Sequence, residues 1–259
     1  MRMGSILSGV ALAVFVAGAV PAAATVLVVN SYDMPNGDGT ANFGTWNYWD
    51  RNYTGAGAKT TDGAPLTGGT GKLTDGVIAT TGFGGLTGLV PNSNLAGTGL
   101  YVGWKYLDPT IAFNLAQPSR VFSIDMYVDY SYIGLVGAPL TITIDGIKYN
   151  PTITLLSATD ERLSVSFAGG IVGSTFTVQP NAGPFGPDAI AYNAQFPNFP
   201  IPGNKEPWMM VSEVQFNGVT VSNAVPELST WTMMLIGFAA LGFAAYRRQK
   251  KITAPEVAA

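Results

Sequence analysis

The chain contains neither cysteine nor histidine. The first absence excludes a disulfide, a zinc–thiolate centre and a cysteine nucleophile. The second excludes a Ser-His-Asp triad, an imidazole base and a histidine metal ligand. Charge is scarce as well, at 11% of 259 residues, with a net of −3. Between 25 and 224 eight basic side chains face fourteen acidic ones, so that stretch carries −6. Acidic and without a basic cluster, it offers no electrostatic footprint for nucleic acid or an anionic lipid surface. Any catalysis is left to carboxylate pairs, lysine or tyrosine.

What the chain has in quantity is apolar material and turn residues. At 47% hydrophobic and 11% aromatic it is too greasy for a disordered polymer. Its 32 glycines and 17 prolines punctuate short runs rich in Thr and Val, which suits an all-β domain. Phe122, Ile124, Met126, Val128 and Tyr130 alternate with polar neighbours, the period of a half-buried strand. Ile142 and Ile144 alternate with threonines ahead of Asp145-Gly146, a hairpin turn signal. Leu163, Val165 and Phe167, then Phe176 and Val178, then Val214 and Phe216 read as further short strands. Together these predict an antiparallel β-sandwich. Two stretches, 30–71 and 179–207, read as long loops, which in compact domains are functional or clamped down.

Both ends read as targeting segments. Arg2, the apolar run from Ile6 to Val20 and Ala22-Ala23-Ala24 have the order of a secretory signal peptide cleaved after Ala24. At the other end Trp231 to Tyr246 is an apolar run of 16 residues, roughly 24 Å as a helix. That falls slightly short of the roughly 30 Å hydrocarbon core. Trp231 and Tyr246 occupy interfacial positions, and Arg247, Arg248, Lys250 and Lys251 mark a cytoplasmic flank. The expected organisation is a signal peptide over 1–24, an exported domain over 25–223, a sorting and anchor segment over 224–251 with one transmembrane helix, and a short tail over 252–259.

The C-terminal segment resembles the PEP-CTERM sorting signal. Val225, Pro226, Glu227, Ser229, Thr230, Trp231, Arg247 and Arg248 match that pattern, and Leu228 departs from it where the family carries a second proline. The resemblance implies an exosortase-type membrane protease as partner after the export machinery. It also implies a transient single-pass stay in the inner membrane, then release to the cell surface or exopolysaccharide matrix. A permanent single-pass anchor is the alternative.

Between the ends, Leu73-Thr74-Asp75-Gly76, Gly103-Trp104, Ile111 to Leu115, the strand at 121–130 and Trp208 to Gly218 resemble, in order, the galactose-binding-like jelly rolls of discoidin type. Hard cations take six to eight oxygens from carboxylates, hydroxyls and carbonyls. The resembled fold implies a calcium site joining Asp75 to Glu213, with Thr80 or Thr81 adding oxygens. Asp33, Asn36 and Asp38 form a second acidic loop without the EF-hand spacing, read as an Asn-Gly turn.

Two aromatic clusters stand out: Trp46, Tyr48, Trp49 and Tyr53 beside Asp50 and Arg51, and Tyr101, Trp104 and Tyr106. Flat rings beside carboxylates and amides suit sugar stacking, which makes Trp46, Tyr48, Trp49 and Trp104 candidate ligand contacts. The same rings could instead pack a loop onto the sandwich. Asp125 and Asp129 share a strand face but lie about 13 Å apart, beyond the roughly 5–9.5 Å of glycosidase acids. The expectation is a non-enzymatic adhesion or weak carbohydrate-binding module. A polysaccharide hydrolase with acids meeting across strands and a structural coat protein stand as alternatives.

Overall fold

The computed structural model describes residues 23–39, 47–83, 99–221 and 228–252. The apolar run from Ile6 to Val20, Trp46, and Val225, Pro226 and Glu227 lie outside the described residues.

Two long strands, β5 (Ile111–Asp129) and β9 (Asp160–Ala182), run antiparallel through the fold. The first part of β5 takes β2 (Val29–Pro35) as its other neighbour, and the later part takes β10 (Trp208–Thr220). Along β9 the early part pairs with β8 (Thr152–Leu155) and the later part with β6 (Pro139–Ile144). Between these parts the β5–β9 register slips, at Asn114/Ser119 and again at Val121/Ser123. Such irregularities bend a strand, and here they fold one antiparallel sheet into the two layers of a β-sandwich. Phe216 of β10 meets Phe113 of β5 at 5.2 Å and Phe176 of β9 at 5.7 Å between ring centroids, closing one layer on the other.

The shorter strands complete the layers. β1 (Thr25–Val26) and β4 (Val102–Lys105) pair with β10, β3 (Pro65–Gly69) with β2, and β7 (Ile147–Tyr149) with β6. The hairpin expected at Asp145-Gly146 joins β6 to β7. Both residues have positive φ, 48° and 81°, as a two-residue type I′ turn requires.

Several local expectations shift. Leu163–Phe167 and Phe176–Val178 are parts of the single strand β9. Val121 is buried and Phe122 only partly so, because the slip at Val121/Ser123 breaks the period of two. The stretch 30–71 contains β2 and β3. The stretch 179–207 contains α1 (Pro187–Gln195), which opens with Pro187 in its first turn and Asp188 near its N-terminus.

The chain divides into two units, Met1–Thr220 and Val221–Ala259. The second contains α2 (Leu228–Ile252), a helix where the anchor was expected. Among the described residues no helix is long and apolar enough to cross a membrane.

Candidate functional site

The 3-10 turn Lys72–Thr74 delivers Asp75 to the last strand of the sandwich. There Gly76 N–H donates to Glu213 Oε2 at 3.2 Å, and Val77 N–H donates to Asp75 Oδ1 at 2.9 Å. Gly76 sits at φ 79°, a conformation in which glycine carries no steric penalty. Asp75 and Glu213 line a cavity of about 300 Å³ with Val26, Val28, Thr74 and Gln215. Burial, and then the neighbouring Asp75, push the Glu213 carboxyl up to about 7. Burial raises Asp75 too. The two carboxylates expected to meet line one cavity.

Thr80 and Thr81 do not join them. Neither lines this cavity, and the Thr81 carbonyl accepts the Tyr101 hydroxyl at 3.0 Å. Thr74 does line it, and its Oγ1 is buried without a hydrogen-bond partner. Two carboxylates and one hydroxyl fit a hard cation. They supply about half of the six to eight oxygens calcium takes, leaving the remainder to backbone and solvent. Among the described residues no cluster of three or more acidic ligands occurs.

The acidic loop at Asp33, Asn36 and Asp38 is a set of backbone clamps. Asn36 Oδ1 accepts from Gly37 N–H and Asp50 N–H, each at 2.9 Å. Asp33 Oδ1 accepts from Gly68 N–H and Asp38 Oδ2 from Lys105 N–H, both at 2.7 Å. Their lone pairs go to holding loop backbone.

Of the first aromatic cluster, the described residues Tyr48 and Tyr53 are packing. Tyr48 is 3% exposed and sits in a core cluster with Tyr101, Trp208 and Met210, so its face is closed to a sugar ring. Trp49 lies against Gly39, where a Cβ would meet its ring, and its Nε1 donates to Asp62 at 2.7 Å. Trp104 is fully buried, with Nε1 donating to the Pro35 carbonyl at 2.9 Å. A ring buried to exclude water in the free protein is not a stacking platform, which corrects the expectation for Tyr48 and Trp104. Asp50, beside them, accepts the Tyr32 hydroxyl and the Lys72 N–H.

Acids do meet across strands. Asp129 and Asp160 are direct β5–β9 partners. Asp129 accepts Ser131 N–H and Phe83 N–H at 2.7 Å, while Asp160 accepts the hydroxyls of Tyr101, Ser157 and Thr159. Asp125 accepts Ser164 Oγ and Asn217 Nδ2. Each of these carboxylates accepts protein donors, an arrangement that ties loops to strands.

A larger cavity, about 550 Å³, opens where β4 ends. Its wall includes Tyr106, Leu107, Asp108, Lys205, Glu206 and Pro207. Tyr106 is 55% exposed and holds φ 57°, with its N–H donating to the Pro207 carbonyl at 2.7 Å. A bulky residue in the left-handed region costs about 1–3 kcal/mol, and such residues cluster at ligand sites. Lys105 Nζ lies 5.5 Å from the Tyr106 ring centroid and 5.6 Å from that of Trp208. Lys205 Nζ pairs with Asp108 Oδ2 at 2.6 Å, and Asp108 Oδ1 also accepts the Ala182 N–H. Glu206 Oε1 accepts the Gly186 N–H at 2.5 Å, fastening this wall to the start of α1. Tyr106 thus offers an exposed ring in the same cavity wall as a carboxylate–ammonium pair. Tyr106 was visible as one of three nearby aromatics. Asp108 and Lys205, 97 residues apart, carried no local signal.

Fold and cavity define an antiparallel β-sandwich with a polar-rimmed aromatic cleft. No protein-family model matches the chain, and no curated protein does. Solved chains that match include a fucolectin from striped bass (Morone saxatilis) serum, at 12% identity, covering 77% of this chain and 79% of that one with a TM-score of 0.27. That score is too low for a site or a ligand to be carried across.

Proposed function

We propose that this is an exported bacterial surface or matrix protein whose sandwich binds glycan weakly in the Tyr106 cavity. The observation that carries the reading is Tyr106 itself, an exposed aromatic held in a strained backbone beside the Asp108–Lys205 pair. Sugars are bound by just such pairing of an apolar ring face with fixed polar groups. Calorimetric titration of the full chain in a non-glycosidic detergent tests it, using neutral oligosaccharides of glucose, galactose and mannose. Binding by the native chain and a loss of tenfold or more in Tyr106→Ala are expected. A chain that binds none of them sinks the proposal.

The same reading assigns the ends of the chain to delivery. Export by the signal peptide and processing at the PEP-CTERM-like segment are supported by the motif order, by the helix Leu228–Ile252 and by its basic end at Arg247 and Arg248. Mass spectrometry of the cell-surface form is expected to show a mature chain starting at Thr25 and lacking that helix. Substituting Arg247 and Arg248 by Ala is expected to leave the chain in the membrane fraction. An intact C-terminus on the surface form would favour a permanent anchor.

A weak calcium site at Asp75, Glu213 and Thr74 would complement the fold by joining the early loop to the last strand, in a chain without disulfides.

A further inference from the structure

The 550 Å³ cavity has a shelf beside it. Tyr192 and Phe196 stand four residues apart on one side of α1 and its C-terminal end, the spacing that brings helical side chains together. Their rings lie 4.9 Å apart, and both remain open to solvent, at 37% and 42%. Phe199 follows at 77% exposed, its N–H donating to the Phe196 carbonyl at 3.0 Å. Of the residues in α1 only Ala189 is buried, so these rings do not serve the core. Exposed aromatic rings cost hydration free energy unless something covers them.

The shelf is tied to the cavity. Asn193 Oδ1 accepts the Ile201 N–H at 2.7 Å, and the chain then runs directly into Pro202 to Pro207, which line the cavity. Charge narrows the occupant. Lys205, which lines the cavity, is already paired with Asp108, Lys105 lies against the rings of Tyr106 and Trp208, and the stretch 25–224 is acidic overall. None of these favours a polyanion.

We infer that cavity and shelf form one extended site for a neutral glycan chain of several residues, its first two sugars in the cavity and its following sugars stacked along Tyr192, Phe196 and Phe199. This deepens the cavity reading above and rests on it. Covering three exposed rings adds contact only for a ligand long enough to reach them, so affinity must grow with chain length.

The test is titration of the full chain with di-, tetra- and hexasaccharides of the neutral sugar that binds. The native chain is expected to gain tenfold or more from di- to hexasaccharide. Tyr192→Ser and Phe199→Ser are expected to keep disaccharide affinity and lose that gain, with unchanged thermal unfolding because both side chains are exposed. Binding that is lost in Tyr106→Ala yet flat in chain length overturns the extended site and leaves the cavity standing. A gain that survives both shelf variants also overturns it, as does a native dimer that Phe199→Ser dissociates, since a second copy would then cover the shelf. Binding untouched by Tyr106→Ala, or no binding at all, fails the cavity reading and the extended site with it.

Discussion

Replacing Asp50 by Ala is expected to lower the unfolding free energy by about 3–5 kcal/mol, the largest effect of any single change at the clamps holding the 47–72 segment. Asp50 is fully buried and accepts from the Tyr32 hydroxyl and, at 3.2 Å, from the Lys72 N–H. Removing it strands two buried donors, at about 1–3 kcal/mol each. A third effect falls on Lys72, itself 1% exposed. Burial pulls its ammonium down to about 8, and Asp50 is the first of the charges that pull it back up. Without Asp50 the ammonium drops further. A lysine whose folded value lies below its unfolded one binds fewer protons folded than unfolded, so stability rises with pH through that window. The variant is therefore expected to lose more at pH 6 than at pH 9. Asp50→Asn, which keeps an acceptor for Tyr32, separates hydrogen bonding from charge and is expected to cost less. Urea titrations at both pH values measure all of this. A loss below 1 kcal/mol in Asp50→Ala would show that the clamp contributes little.

Glu213 is expected to give the fold its main pH dependence near neutrality. Its folded value of about 7 lies above the ordinary 4.5, chiefly from burial and next from Asp75. The folded state thus holds a proton that the unfolded chain releases, and stability falls as pH rises from about 4.5 to about 7. The full difference corresponds to about 3 kcal/mol. Glu213→Gln keeps an oxygen for the Gly76 N–H and removes the charge. It is expected to be more stable than the native chain at pH 8, by as much as about 3 kcal/mol, and close to it at pH 4.5. A cation on Asp75 and Glu213 favours the ionised pair. Millimolar calcium is accordingly expected to raise the native Tm at pH 8 and to leave Glu213→Gln unmoved. Equal Tm shifts in both proteins would remove calcium from this site.

The legible features were those made by neighbours in sequence. Asp145-Gly146 specifies its own turn, because two residues with positive φ are all that a two-residue hairpin demands. The inward set Ile124, Met126 and Val128 follows from alternation, which holds until a bulge interrupts it. At Val121/Ser123 it is interrupted, and no composition rule announces a register slip. The pairing of Asp75 with Glu213, joined through Gly76 across 137 residues, was reached only through resemblance to a fold. Thr80 and Thr81, expected beside them, do not line that cavity, whereas Thr74 does. A turn residue's direction depends on the strand it packs against.

The aromatics show the division most clearly. Composition and spacing marked Trp46, Tyr48, Trp49 and Trp104 as candidate contacts and left Tyr106 as a mere neighbour in the second cluster. Burial separated them: Tyr48 and Trp104 complete the core, and Tyr106 turns outward at the end of β4. Residue types and their spacing alone set the β class, the hairpin, the order of the motifs at the two ends and the exclusion of cysteine and histidine chemistry. These depend on residue type and on separations of a few positions. Which rings face solvent, which carboxylates are already occupied, and how Asp108 meets Lys205 were decided only by the tertiary structure. Each depends on two segments arriving at one place from distant parts of the chain, and that arrival is set by the packing of the two layers.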